Sequence, residues 1–153
     1  NKYNIFKKLI NEYKKDFVWI IIGDGEYLQE LKKLVKYDNL ENRVLLLGKK
    51  DRKELLSYYK VSDLFWLLSE YKESFGLVYI EAQLCGLPAV GNNLGGVKEA
   101  IQDNKTGFLI NDNEMVLYIL KIALYKDLDK DMIISFAKFF CIENTLEGLL
   151  KNV

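Results

Sequence analysis

The sequence predicts an α/β fold with a doubly wound parallel sheet and C-terminal helices. Short apolar runs alternate along the chain with stretches in which apolar residues recur at helical spacing. The runs are continuous, which is typical of parallel strands covered on both faces. This alternation favours parallel strands joined by crossover helices.

Five runs have the pattern of strands. The first two end at Gly23 and Gly48, the third at Ser69 and the fourth at Asn92. The predicted strands are residues 17–22, 43–47, 63–68, 89–92 and 106–110.

Helical patterns fill the intervals. Asp51 is the expected N-cap of the third helix, and Gly86 and Pro88 should end the fourth. The predicted helices begin near Tyr3, at 26–37, after Asp51, at 75–85, at 95–102 and beyond Asn113, with a break near Lys126 and a restart at Asp129.

The composition excludes several classes of protein. The 153 residues suffice for one domain with a buried core, so we expect 1–153 to be a single domain. The 22 basic and 22 acidic residues cancel, which argues against a nucleic-acid surface. No apolar run approaches the ~20 residues of a transmembrane helix.

Histidine is absent, which removes the commonest general base and metal ligand. Cys85 and Cys141 lie in apolar helical contexts, as expected of free, buried thiols in the cytoplasm.

Two glutamates are the main candidates for chemistry. Glu73 precedes the predicted central helix and Glu81 lies on its second turn, with Ser74 as the expected N-cap. Ligands of such folds bind beyond the carboxyl ends of the strands, where this loop lies. Both carboxylates could therefore reach one ligand and accept hydrogen bonds from its hydroxyls. The alternative is a solvated Glu73 and a Glu81 that pairs with a lysine.

Glycines at two predicted helix starts indicate an anion site. Gly76 opens the central helix, and Gly95 and Gly96 open the next one. Two helix N-termini that face one crevice would bind a diphosphate without a metal, although a Gly-Gly pair is also typical of a loop hinge. A crevice with acids and amides suits a nucleotide-sugar.

The turn at Gly23 and Gly25 has a different meaning. Leu28 stands where a dinucleotide-binding motif would have its third glycine, so we do not expect an NAD site. A tight turn that keeps the crevice open explains these glycines better.

Taken together, the motifs resemble a known family. The runs Glu73-Ser-Phe-Gly-Leu, Glu81-Ala, Gly86-Leu-Pro88, Gly95-Gly96 and Thr106-Gly-Phe-Leu look like the donor-binding half of retaining GT-B glycosyltransferases of group 1. The likeness covers residues 18–112. It implies two Rossmann-like domains that close on a nucleotide-sugar, with this chain supplying the C-terminal one. The first strand of that domain and the N-terminal acceptor domain would then lie outside these residues, and we expect the fragment alone to be inactive.

The resemblance implies a role for each candidate. Glu73 would be the catalytic residue beside the transferred sugar, and Glu81 would bind the ribose hydroxyls. The other implied donor-binding residues follow the sugar, the diphosphate or the base: Ser74, Phe75, Gly76, Leu77, Gly95, Gly96, Val97, Gly23, Gly25, Gly48 and Lys49.

The implied reaction transfers a sugar, with retention, from a nucleoside-diphosphate sugar to a glycan, polysaccharide or lipid acceptor held by the N-terminal domain. Neither a metal nor another cofactor is expected, and the location is cytoplasmic, at the inner membrane face or away from it. Two departures from the family are visible. No Arg/Lys pair that would clamp the diphosphate precedes Lys2, and Lys98 stands where proline is common.

Three other functions stay open. The chain could be a non-catalytic or regulatory module that binds a nucleotide-sugar, half of a non-hydrolysing sugar-nucleotide epimerase, or a purely structural domain. The absence of histidine disfavours the epimerase.

Overall fold

The computed structural model of the protein describes residues 2–12, 17–69, 75–111 and 116–141. The chain divides into two compact units, Asn1–Leu55 and Leu56–Val153, each with its own parallel strands. The helices are α1 Lys2–Glu12, α2 Leu28–Tyr37, α3 Arg52–Val61, α4 Leu77–Leu84, α5 Val97–Ala100, α6 Val116–Tyr125 and α7 Lys130–Lys138. The strands are β1 Trp19–Ile21, β2 Val44–Leu46, β3 Phe65–Leu67, β4 Ala89–Asn92 and β5 Gly107–Ile110. The predicted α/β class is confirmed, whereas the single-domain organisation stays a prediction.

The first unit is built on a pair of parallel strands. Trp19 of β1 lies opposite Val44 of β2, and Ile21 lies opposite Leu46. These alternate positions pack against apolar side chains of α1 and α2, so both helices lie on the same face of the sheet. The buried members of this core are Tyr3, Phe6, Val35 and Val44.

A short polar network joins α1 to the end of α2. Lys7 Nζ lies 2.8 Å from Asp38 Oδ1, and the Tyr3 hydroxyl donates to Asp38 Oδ2 at 2.8 Å. The hydrogen bonds from Lys7 and Tyr3 hold the pKa of the Asp38 carboxyl below its usual range. The first helix is thereby fixed by charge as well as by apolar packing.

The opposite face of this sheet is open in the described part of the unit. Val18 is 49% exposed and Leu45 is 38% exposed. The prediction that these two strands are covered on both faces is therefore wrong. The physical reason is that α1 and α2 pack on the same face, and an apolar run does not reveal how many faces are covered.

The second unit contains three parallel strands in the order β3-β4-β5. Phe65 of β3 lies opposite Ala89 of β4, which lies opposite Gly107 of β5. Helices α4, α5 and α7 contribute to a single core with this sheet. Its buried members are Tyr79, Ile80, Ala89, Val97, Ala100, Ile101 and Ala137.

Several predicted helix ends are confirmed by their capping. The Asp51 carboxylate accepts from the Glu54 N–H at 2.8 Å, and the Asp51 N–H donates to the Glu54 carboxylate at 3.1 Å, which is a capping box before α3. Gly86 follows α4 in the left-handed conformation, with φ of 77°. Asp129 caps α7 by accepting from the backbone N–H groups of the first turn.

The start of α4 differs from the prediction. The helix begins at Leu77 rather than at residue 75, and its N-cap position is Gly76, so the expectation that Ser74 caps it is wrong. Left-handed backbone at Gly76 prevents the helix from continuing to earlier residues. None of the described helices is long and apolar enough to cross a membrane. Neither Cys85 nor Cys141 lies in a disulfide, and both are half-buried rather than buried.

Candidate functional site

The central candidate site lies where β3 and β4 end. Because the two strands are parallel neighbours, their carboxyl ends meet at the same edge of the sheet. Helix α4 follows the loop after β3, and Gly76 before it has φ of 74° and ψ of 57°. A side chain disfavours this conformation, so the position favours glycine. The predicted approach of a ligand to bare backbone at this helix start stays a prediction.

A second glycine turn follows β4. Gly95 is left-handed, with φ of 60°, and Gly96 takes the N-cap position of α5. Neither glycine N–H donates a hydrogen bond to another residue within the described parts of the chain. The turn therefore presents two backbone donors that an anion could use.

Helix α5 is shorter than predicted. It spans Val97–Ala100, only four residues, whereas the sequence predicts a helix over 95–102. Ile101 is already extended, and the Gln102 N–H donates to Thr106 Oγ1 at 3.0 Å instead of continuing the helix. A single helical turn aligns few peptide dipoles, so the dipole of this helix is weaker than the sequence predicted. The individual N–H groups of the glycine turn are the donors that remain.

Tyr79 of α4 is fully buried, and its N–H donates to the Gly76 carbonyl oxygen at 3.0 Å. Its hydroxyl donates to the Leu67 carbonyl oxygen at 2.7 Å, which connects α4 to the end of β3. A Cβ added to Gly91 would lie 2.9 Å from Tyr79 Cε1 and 2.7 Å from Val97 Cγ1. Glycine at this position of β4 therefore allows α4 and α5 to pack closely on the sheet.

Gln83 extends this network to α5. Its Nε2 donates to the Tyr79 carbonyl oxygen at 3.0 Å and to the Ala100 carbonyl oxygen at 2.7 Å. The side chain is fully buried. The amide therefore joins the second turn of α4 to the last residue of α5.

Glu81 lies on α4 with a half-buried side chain. Burial raises the pKa of Tyr59 to about 12, and the negative charge of Glu81 contributes to that shift. Burial also raises the pKa of the Cys85 thiol. The positive charge of Lys60 lowers this pKa, and the negative charge of Glu81 raises it. The carboxylate therefore acts on the side of α4 where Tyr59 and Cys85 lie. A ligand shared by Glu81 and the glycine turn stays a prediction.

The remaining predicted site residues of the second unit have different outcomes. Leu77 is 67% exposed at the start of α4, whereas Val97 is 2% exposed. The Phe75 ring packs on the core, with its centroid 5.2 Å from that of Phe140, so ligand contacts of Phe75 would come from its backbone. Glu73 and Ser74 lie outside the described residues.

In the first unit, the predicted glycines also lie at strand ends. The Gly23 N–H donates to the Gly48 carbonyl oxygen at 2.9 Å, which brings the loops after β1 and β2 together. Gly25 begins the turn into α2, where its carbonyl oxygen accepts from the Leu28 N–H at 3.0 Å. Lys49 is exposed beside Gly48. These residues form a second local cluster at the carboxyl edge of the first sheet.

Two asparagines were not among the predicted site residues. Asn92 Nδ2 donates to the Ser69 carbonyl oxygen at 2.7 Å, and Asn93 Nδ2 donates to Asn111 Oδ1 at 2.7 Å. Their position in the sequence, at the end of the apolar run of β4 and just before the Gly95–Gly96 turn, could have identified them.

A cavity of about 290 Å³ lies at the other edge of the second sheet. Its lining includes Lys60, Asp63 and Pro88, which precede or flank the amino ends of β3 and β4. It is thus separate from the glycine turns. Within the described ranges, no group of three or more His, Cys, Asp or Glu side chains could hold a metal ion.

Comparison with known proteins identifies the family. Residues 3–136 match the glycosyl transferases group 1. The chain is 47% identical over 105 residues to N-acetyl-alpha-D-glucosaminyl L-malate synthase of Bacillus anthracis, over 68% of this chain and 26% of that protein. It is 33% identical over 148 residues to the UDP-Gal:alpha-D-GlcNAc-diphosphoundecaprenol alpha-1,3-galactosyltransferase of Escherichia coli, over 96% of this chain and 36% of that protein.

The structure is also similar to the crystal structure of Anabaena HepE in complex with UDP and glucose. The TM-score is 0.73 at 25% identity, over 98% of this chain and 44% of that one. The chain thus spans less than half the length of each of these relatives. On these matches, the chain belongs to the group 1 glycosyl transferases and has the α/β fold of GT-B enzymes.

Proposed function

We propose that this chain is the donor-binding part of a glycosyltransferase that takes a sugar from a nucleoside-diphosphate sugar with retention of configuration. The acceptor, a glycan, polysaccharide or lipid, would be bound by another part of the full-length protein. The enzyme would act in the cytoplasm, at the inner membrane face or away from it, and the described chain alone would be inactive.

The observation that carries this proposal is the pair of glycine turns at neighbouring strand ends. Gly76 and Gly95 both have left-handed backbone. Gly76 directly precedes α4, and Gly95 lies two residues before the start of α5. Backbone N–H groups at such turns are suited to anionic oxygens. A diphosphate has enough oxygens to use donors from both turns.

Each remaining residue has a role in this proposal. Leu77 and Val97 would border the sugar and diphosphate, together with Ser74 and the backbone of Phe75. Glu81 would accept hydrogen bonds from the ribose hydroxyls. Gly23, Gly25, Gly48 and Lys49 of the first unit stay donor-binding predictions that rest on the family resemblance.

The chemistry needs stabilisation of the departing diphosphate. Negative charge develops on the leaving oxygen as the glycosidic bond breaks, and the N–H groups at Gly95 and Gly96 would stabilise it electrostatically. Glu73 would orient the sugar and stabilise positive charge on its ring. We propose that no metal takes part, because backbone donors would stabilise the charge of the diphosphate by hydrogen bonds. Unchanged turnover in EDTA tests this.

The relatives support a nucleotide-sugar donor. HepE binds UDP and glucose in its crystal structure, and the name of the Escherichia coli relative specifies UDP-Gal as its donor. Another relative, a mannosyltransferase of Mycobacterium tuberculosis, is named as GDP-mannose-dependent and is 31% identical over 98 residues. Uridine and guanosine donors are therefore the first to compare.

The experiment is a thermal-shift panel on the protein expressed from its complete gene. UDP, GDP and their common sugar derivatives are added separately, and a ligand that binds only the folded state raises the melting temperature. We expect a shift from one nucleoside diphosphate and its sugar, followed by release of that diphosphate during turnover. No shift from any nucleotide would refute the proposal. A shift without turnover would favour the non-catalytic module.

A turnover assay on Glu73→Ala tests the catalytic assignment. We expect turnover to fall more than nucleotide affinity, because Glu73 would contact the sugar rather than the nucleoside. Retained turnover would remove Glu73 from the catalytic residues.

A further inference from the structure

Strand β2 has a free edge. The first sheet contains only β1 and β2 in the described part of the chain, so β2 is paired on one side. The Arg43 carbonyl oxygen accepts from the Trp19 N–H at 2.8 Å. The Leu47 N–H donates to the Ile21 carbonyl oxygen at 3.0 Å. Alternate residues of a strand in a parallel pair bond to the same neighbour, so the even-numbered residues of β2 face the free edge.

The backbone at this edge offers both a donor and acceptors. The Val44 N–H donates to the Leu40 carbonyl oxygen at 2.9 Å. The Val44 carbonyl oxygen and both backbone groups of Leu46 make no hydrogen bond within the described residues. An edge with unpaired N–H and C=O groups can accept a further strand.

A groove of about 270 Å³ lies beside the edge. Its apolar lining is Val35 of α2 and residues 44–47, among which Leu45 is 38% exposed. Its charged lining is Lys32 of α2 and Glu41 of the turn before β2, and both side chains are exposed. Neither Lys32 nor Glu41 forms an ion pair with any residue that the structure describes. The groove thus has one unpaired charge of each sign.

The two charges lie toward opposite ends of β2. The Val35 carbonyl oxygen accepts from the Leu40 N–H at 2.9 Å, so the end of α2 lies beside the start of β2. Lys32 comes three residues before Val35, which places it ~4.5 Å farther along, toward the end of β2. Glu41 lies in the turn that leads into the strand. The acidic end of the groove is therefore the start of β2, and the basic end is toward its finish.

We propose that the β2 edge is the interface for a second copy of this chain, with the two β2 strands antiparallel about a twofold axis. A twofold axis matches a surface with itself, and antiparallel strands place the start of one beside the end of the other. Lys32 of each copy then faces Glu41 of the second copy, and the backbone groups at Leu46 find partners. Pairing also covers Leu45. A self-complementary edge of this kind fits a second copy better than an unrelated peptide.

The test is analytical ultracentrifugation of the full-length protein with charge reversals in the groove. We expect the unchanged protein to form a reversible dimer over micromolar concentrations. Lys32→Glu and Glu41→Lys should each raise the dimer Kd by at least about 10-fold, because each creates two like-charge contacts across the axis. Lys8→Glu is the matched control, since Lys8 is exposed on α1 outside the groove, and it should change Kd less than about 2-fold.

Mixing the two variants tests the twofold geometry. An equimolar mixture of Lys32→Glu and Glu41→Lys should dimerise within about 3-fold of the unchanged protein, because every acidic contact of one copy meets a basic contact of the other. A mixture that stays monomeric would overturn the proposal. A monomeric unchanged protein, or groove variants that dimerise like Lys8→Glu, would overturn it as well.

Hydrogen exchange gives a readout without substitution. The Leu46 amide should exchange more slowly as protein concentration rises, because pairing engages its N–H. An exchange rate that is the same in dilute and concentrated protein would place the interface elsewhere and overturn the proposal. None of these measurements uses a nucleotide, so their outcome is independent of the proposed function.

Discussion

Replacing Glu81 tests whether the acid on α4 binds the nucleotide. In Glu81→Ala the ligand loses a carboxylate that would accept from its ribose hydroxyls. Hydrogen bonds to charged groups contribute about 1.5–3 kcal/mol, and the half-buried position of Glu81 reduces solvent screening. We therefore expect a loss of ~1–3 kcal/mol, which is about 5- to 150-fold in Kd.

The assay is isothermal titration calorimetry with the nucleoside diphosphate that stabilises the full-length protein. Glu81→Gln should lie between the original protein and Glu81→Ala, because its amide oxygen still accepts but carries no charge. Glu30→Ala is the matched control, since Glu30 is an exposed glutamate on α2 and should leave Kd unchanged.

Unchanged Kd in Glu81→Ala would refute the ribose assignment. The role of Glu81 would then be confined to its local electrostatics around Tyr59 and Cys85. Equal losses in Glu81→Ala and Glu30→Ala would also refute it, because a long-range charge effect would account for both.

Two further predictions concern stability. Gly76→Ala places a side chain in left-handed backbone and should lower the free energy of unfolding in urea by about 1–2 kcal/mol. Gly25→Ala is the control and should change it little, because an added Cβ there meets nothing within 4 Å. Equal effects of the two substitutions would contradict the strain argument. For Tyr59, burial and then the charge of Glu81 raise the pKa from 10.0 to about 12. The folded state holds this proton more tightly, so the contribution is complete below pH 10 and is lost as pH rises toward about 12. Urea unfolding of Tyr59→Phe should lack this alkaline loss, on the order of 2 kcal/mol, and an identical pH dependence in both proteins would contradict it.

Much of the fold could be predicted because its signals are local. The capping box at Asp51 and Glu54 needs only residues three apart, and Gly86 ends α4 through its own backbone conformation. The alternation of apolar runs likewise predicted each of the five strands in the described part of the chain. These features depend on residues that are neighbours in the chain.

The misses have two physical causes. Helix α5 stops at Ala100 because the Gln102 N–H bonds to Thr106 Oγ1, a local side-chain bond that competes with the helix and that apolar spacing does not reveal. The open face of Leu45 instead depends on where two helices pack. The Asn92 amide bonds to the Ser69 carbonyl oxygen 23 residues away, so this contact could not be predicted from the neighbouring motif. The candidate glycines could be predicted from the sequence, whereas the network behind them could not.

The anchoring of α4 through Tyr79 has a consequence for how proteins with this fold could diversify. The Tyr79 hydroxyl bonds to the Leu67 carbonyl oxygen in the interior, while Leu77 and Leu94 on the outside are 67% and 42% exposed. Outer side chains can therefore be exchanged with little effect on folding, as surface substitutions usually are. Selection for a new ligand could therefore act on these outer positions while the packing behind them stays intact.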